Sequence, residues 1–302
     1  MVLATGGFAQ SETMRRQLVP HAEVHRSMSP PGNTGDGVTL AKPLGGSMEA
    51  DNVDAAFWAP VSVMKNGEEH ETVFPHLVTD RQKPGIVAVN AAGRRFVNEA
   101  TSYHDFVVAM HRSNEESPCI PAWLVCDSHF LHRYGMGLVR PHTPILTRYI
   151  TTGYLKRGSS VVELAGTIGV PAGALVETVA RMNIAADTGL DPEFDRGASA
   201  YDRYLGDATH TPNPCLGPIR KAPFYAVQIW PGDIGSAAGL RTDPAARVLD
   251  GAGIAIPGLF ACGNDMNSIM AGTYPAAGIT LGPALTFGYI AGKTIIREGA
   301  AA

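Results

Sequence analysis

The chain has 302 residues, 45% of them hydrophobic and 17% charged, with 24 Lys and Arg against 28 Asp and Glu for a formal net charge of −4. The slight acidity and the lack of any Lys/Arg run argue against a nucleic-acid binder, whose phosphate contacts need clustered positive charge. The apolar content argues against disorder, and no stretch of about 18 apolar residues offers a transmembrane helix. Gly and Pro, at 34 and 22, imply many tight turns instead of a helical bundle, and the length allows roughly two domains or one large α/β unit. The cysteines (Cys119, Cys126, Cys215, Cys262) are scattered, with no CxxC pair, and read as single thiols of a reducing compartment. No HExxH or comparable ligand spacing occurs, so no metal is expected. Met1 runs into VLATGGF without a basic leader segment, and the expected location is the cytoplasm.

Residues 1–8 (MVLATGGF) read as a buried parallel strand ending in two glycines that permit a tight turn or close approach of a ligand. SETMRRQLVP then reads as a short helix, with Ser11 as cap and Glu12 in its first turn. Residues 32–37 (GNTGDG) have two readings. Either their N–H groups and a following helix start form an anion site, or the segment is a plain loop with Asp36 as helix cap. No GxGxxG follows a strand anywhere, so any dinucleotide domain within this chain is incomplete.

From 51 to 222 the texture changes. FWAPVSVM, GIVAVN and AWLVC suggest strands, and two helices follow. The first is capped by Ser160 and ended by Gly169, and the second opens at Pro171. The segment is an α+β insertion without internal repeats. IPGLFACGND (256–265) is then an apolar strand ending in Gly and polar residues. GTYPAAGITLG (272–282) is a glycine-studded loop feeding a last helix that starts at Pro283. A helix start of this kind offers N–H donors to a bound anionic oxygen.

These motifs carry a resemblance to the flavoprotein superfamily of fumarate reductases and 3-ketosteroid dehydrogenases. ATGGF and TGDG are similar to internal FAD-domain motifs, VNAAGRRFVNEA (89–100) to the capping-domain signature, and PGLFACGN to the returning FAD strand. The resemblance implies an α/β fold in which a partial Rossmann-like FAD-binding domain is interrupted by an α+β substrate-binding (capping) domain. The implied division is FAD-domain segments at 1–50 and 223–302 and a capping domain at 51–222. It further implies FAD as cofactor, bound through Ala4, Thr5, Gly6 and Gly7; Thr34, Gly35 and Asp36; Gly263 and Asn264; and Gly278, Thr280 and Leu281. The GxGxxG half would lie upstream, on the order of 200 residues, and is an expected partner of what is present.

TYPAAGITLGPALTFGYIAG, DPEFDRGASAYDRYLGD and PFYAVQIWPGDIGSAAGLRTD are similar to the 3-ketosteroid Δ1-dehydrogenase branch. Ala276 and Ala277, and Ser236 to Ala238, depart from it, which bears on the substrate more than on the chemistry. The branch implies proton abstraction beside a ketone and hydride transfer from the adjacent carbon to flavin N5. Tyr274 O–H and the Gly278 N–H would hold the ketone oxygen and Tyr103 would be the base. The substrate would be a steroid-like cyclic ketone, and the electron acceptor is left open. Two alternatives stand beside this reading. One is a fumarate reductase-like reductase of an unsaturated acid, against which the 272–278 loop lacks an Arg. The other is a non-catalytic remnant. Arg94 and Arg95 read as substrate clamps or, within the AGRRF turn, as structural ion pairs such as one with Glu99. His104 reads as a bystander near Tyr103.

Overall fold

Capped helix starts and short apolar runs set the elements, seen in a computed structural model that describes residues 1–49, 51–67 and 70–301. β1 (Val2–Leu3) leads through a glycine loop to α1 (Glu12–Leu18), where Ser11 accepts the Met14 N–H as expected of a cap. β2 (Arg26–Ser27) and α2 (Asp36–Ala41) follow. β3 (Ala56–Lys65), β4 (Glu71–Pro75) and β5 (Ile86–Val89) precede α3 (Tyr103–Glu116). Next come β6 (Ala122–Asp127), α4 (Ser128–Tyr134), α5 (Thr147–Thr151) and β7 (Leu155–Gly158). α6 (Val161–Ile168), α7 (Ala172–Thr188), α8 (Ala200–Leu205) and β8 (Phe224–Ser236) continue the chain. β9 (Arg247–Leu249), β10 (Ala255–Ala261) and α9 (Leu281–Ala301) complete it. Two units result: Met1–Trp58 with Asp233–Ala302, and Ala59–Gly232. Residue 50, the expected end of the first segment, and residue 302 lie outside the described residues.

In the first unit β1 pairs in parallel with β10 (Val2 opposite Phe260, Leu3 opposite Ala261), and β9 lies antiparallel on the other side of β10. The expected strand at 1–8 shrinks to two residues at the sheet edge, with Leu3 buried and Val2 43% exposed. Gly6 and Gly7, both at positive φ, turn the chain away. Leu3, Val38, Leu240, Val248 and Leu259 form a core to which Phe287 of α9 adds. α9 itself begins two residues before Pro283, which still stands in the first turn where no N–H is needed.

The second unit is built on the strand order β4-β3-β8-β6-β5, with β7 also pairing β8. FWAPVSVM, GIVAVN and AWLVC supply β3, β5 and β6. β5 and β6 are buried along their whole length. Their side chains Val87, Val89, Trp123 and Val125 pack with Leu164 of α6 and Leu175, Val179 and Met182 of α7. Ser160 caps α6 by accepting the Glu163 N–H, and Gly169 ends the helix at φ +74. Pro171 sits one position earlier than expected, as the cap residue of α7. Among the described residues no helix is long and apolar enough to cross a membrane.

Candidate active site

Three sequence motifs of the first unit meet at one buried carboxylate. Asp265, fully buried, accepts the Thr5 N–H, the Thr5 hydroxyl at 2.9 Å and the Gly7 N–H at 3.0 Å. The Thr5 hydroxyl oxygen accepts the Gly37 N–H at 3.0 Å in the first turn of α2, and the Gly35 N–H donates to the Gly7 carbonyl. The loop after β1, carrying Ala4 to Gly7, is thereby tied both to the TGDG turn and to the short turn Gly263–Asp265 that follows β10. Gly7 has φ +81, and a Cβ there would stand 2.1 Å from the Ser236 hydroxyl and 2.8 Å from the Asn264 carbonyl oxygen. No other residue fits. Asp36 does not cap α2: Gly35, in the left-handed conformation, is the cap residue, and Asp36 accepts the Thr34 hydroxyl at 2.7 Å. Sequence reasoning missed Asp265. Its signal was an acid four residues after an apolar strand, a position where a buried carboxylate must find donors.

Gly263 and Asn264 line a cleft of about 10 Å³ together with Thr280, Ser236 and Phe57. Thr280 and Leu281 stand at the head of α9, where the Gly278 carbonyl accepts the Gly282 N–H at 2.8 Å and the Thr280 carbonyl accepts the Ala284 N–H at 3.2 Å, and where the helix dipole favours negative charge. An added Cβ at Gly278 (φ +97) would meet nothing within 4 Å, and one at Gly263 (φ +64) only Ala284 at 3.7 Å. Space is therefore left for a ligand to approach the main chain beside this helix start, and the residues fit FAD in that respect. Tyr274, in the same unit, is 4% exposed and meets the Phe57 ring edge-on at 5.7 Å.

Tyr103 belongs to the second unit, as the first residue of α3, and is also 4% exposed. Ser102 caps this helix by accepting the Asp105 N–H at 3.0 Å. The turn before it is held by a buried ionic cluster. Glu99 takes a two-pronged pair of bonds from Arg95 (3.0 and 2.8 Å), one from Arg196 (3.0 Å) and the Ala88 N–H (3.0 Å). Arg95 also grips Asp191 with 2.9 and 2.8 Å bonds. Burial alone would push the Glu99 carboxyl up. Arg95 and Arg196 beside it more than reverse this and hold it below the usual carboxylate range. Of the two readings of Arg95, the structural one is what the geometry shows, and the Arg94 side chain is exposed. His104 is buried next to Tyr103 in sequence.

A second buried polar chain runs from Tyr154 to Ser62 (2.6 Å), from Ser62 to His76 Nε2 (2.8 Å) and from His76 Nδ1 to Asp80 (2.7 Å). It has the order of a hydrolase triad, but Ser62 and His76 are fully buried, so its serine faces no substrate and the network is scaffolding.

The family described as FAD binding domain matches residues 1–281. The chain is 41% identical over 306 residues to the 4-oxocyclohexanecarboxylate 2-dehydrogenase of Sinomonas cyclohexanicum, covering 99% of this chain and 51% of that protein. It is 38% identical over 305 residues to a 3-oxosteroid 1-dehydrogenase of Mycobacterium tuberculosis, covering 99% and 53%. A solved structure of the 3-ketosteroid Δ1-dehydrogenase from Sterolibacterium denitrificans, in complex with 1,4-androstadiene-3,17-dione, matches with a TM-score of 0.90 at 40% identity, over 98% of this chain and 53% of that one. The chain thus spans about half the length of the relatives it matches. It belongs to the FAD-binding domain family, in the superfamily of fumarate reductases and 3-ketosteroid dehydrogenases and within its ketosteroid-dehydrogenase branch, with FAD as the cofactor.

Proposed function

We propose that the chain is part of an FAD-dependent dehydrogenase that introduces a carbon–carbon double bond next to a ring ketone, as in 3-ketosteroid 1,2-desaturation. The observation that carries this reading is the match along nearly the whole chain to relatives named as dehydrogenases of 4-oxocyclohexanecarboxylate and of 3-oxosteroids. What those substrates share is a ketone on a saturated ring, and that is the substrate class proposed here. Segments 1–50 and 223–302 serve as the FAD side and 51–222 as the capping side.

The glycine loop 4–7, Thr34 to Asp36, Gly263 and Asn264, and the head of α9 at Gly278, Thr280 and Leu281 hold the cofactor. FAD, when bound, supplies the two-electron acceptor. The Tyr274 O–H and the Gly278 N–H donate to the ketone oxygen, where negative charge grows as the neighbouring C–H gives up its proton. Removing one donor of such a pair lowers the rate by about 10²–10³-fold. Tyr103 takes the proton. The partners are therefore a ring ketone and an electron acceptor that reoxidises the cofactor. Four buried, unpaired cysteines support a reducing compartment, and we place the protein in the cytoplasm.

The test is dye-coupled turnover of the FAD-loaded protein with a 3-oxosteroid and with 4-oxocyclohexanecarboxylate, repeated with Tyr103→Phe and Tyr274→Phe. Loss of turnover in both variants with the fold intact is the expected result. Wild-type turnover in both would overturn the assignment of these residues.

A further inference from the structure

A phenol ionises near pH 10 in water, so a tyrosine base at neutral pH needs a neighbour that favours its anion. The second unit contains a buried cation beside the turn that carries Tyr103. Arg81 is fully buried. Its Nε donates to the His76 carbonyl at 2.8 Å, Nη1 to the Glu99 and Thr101 carbonyls at 2.7 and 2.8 Å, and Nη2 to the Leu77 carbonyl at 3.2 Å. The guanidinium also lies over the Phe106 ring, 5.2 Å from its centre. These contacts bracket Tyr103, with Glu99 and Thr101 just before it and Phe106 one turn after. All the acceptors are main-chain carbonyls. Arg95 and Arg196, by contrast, discharge onto Glu99 and Asp191.

Other charged groups around this turn are already engaged. The Asp80 carboxylate accepts the Arg81 main-chain N–H, the Gly137 N–H and a bond to His76. Glu99 is held by two arginines, and Arg196 repels Arg81. Tyr103 and Tyr201 are both within electrostatic reach of the guanidinium and favour its charged form, as does Asp80, while burial lowers its pKa to about 10. It is still a cation at neutral pH. His104 and Asp105 complete the titratable groups at the start of α3.

We propose that Arg81 is a positioning residue for Tyr103: it pins the turn that starts α3 and lends its buried positive charge to the Tyr103 phenolate, equipping that oxygen to take the substrate's proton and become the neutral phenol. The inference rests on the reading of Tyr103 as the base and adds the group that makes such a base workable. A buried arginine that only tied carbonyls would hold the fold without changing when Tyr103 ionises.

The experiment is an ultraviolet phenolate titration of the full 302-residue chain, with the curve of Tyr103→Phe subtracted to isolate Tyr103, repeated in Arg81→Met and Arg81→Lys. The proposal expects Tyr103 to ionise below pH 10 in the wild type and about one pH unit or more higher in Arg81→Met. Arg81→Lys, which keeps the charge but not the fork, should stay close to wild type. Identical titrations in wild type and Arg81→Met, or equal shifts in both variants, would overturn it. If circular dichroism shows Arg81→Met unfolded, the wild-type curve decides, and ionisation of Tyr103 at or above pH 10 overturns the proposal. Turnover by Tyr103→Phe separates this failure from that of the base reading, because only the latter predicts activity in that variant.

Discussion

In the unit formed by Met1–Trp58 and Asp233–Ala302, the buried Asp265 carboxylate gathers main-chain N–H groups, whereas in Ala59–Gly232 the buried Arg81, Arg95 and Arg196 gather carbonyls and carboxylates. The first arrangement uses the Thr5, Gly7, Gly35 and Gly37 N–H groups to fix a glycine loop with little side chain of its own, which leaves room for a ligand to approach. The second fixes one helix start and the tyrosine that opens it. The comparison teaches that the same ingredient, buried charge, serves opposite ends: bare backbone where a cofactor is expected, a fixed side chain where a proton is expected to move.

Breaking the second arrangement should cost the most. Glu99→Ala leaves Arg95 and Arg196 buried without their shared partner, and the loss of stability in chemical denaturation should be about 3–5 kcal/mol. Asp265→Asn tests the first arrangement. The Thr5 and Gly7 N–H groups would lose a charged acceptor, with a cost of about 1.5–3 kcal/mol and weaker retention of FAD after desalting. Unchanged flavin retention would detach Asp265 from the cofactor loop.

pH sharpens the contrast. Burial raises the Glu99, Asp191 and Asp80 carboxyls, but their arginine and histidine partners bring all three below their ordinary values. Each therefore binds a proton more readily in the unfolded chain. Their stabilisation is complete above about pH 4.3 and is lost as the pH falls through their folded values. Melting temperature should fall steeply below that point in the wild type and less steeply in Glu99→Ala. The smallest effect is expected away from both arrangements, where Ser160→Ala should remove the cap of α6 for about 1 kcal/mol.

Much of this was legible in the residues. Ser11 and Ser160 announced their helices because a capping hydroxyl acts on N–H groups two or three residues away. Gly6, Gly7 and Gly35 marked turns that only glycine adopts without strain. The Arg95–Glu99 pair was foreseeable because four residues separate its members. Asp265, Arg196 and Asp191 were not, because their partners lie far along the chain and only tertiary packing selects them, and Arg81 was not because its acceptors are main-chain carbonyls, which no residue type announces. Arg196 reaches Glu99 across 97 positions and Asp265 reaches Gly7 across 258. The reading of Asp36 as a helix cap failed for a local reason: Gly35 already occupies the cap position, and the Asp36 carboxylate is taken by Thr34.

The central proposal is that this chain is part of a dehydrogenase that passes electrons from a ring ketone to FAD. The most direct measurement is the visible spectrum of the chain after incubation with FAD and desalting, followed without air by addition of 4-oxocyclohexanecarboxylate or a 3-oxosteroid. The account predicts a retained flavin band that bleaches on addition of ketone. A retained flavin that stays oxidised with both ketones would contradict it.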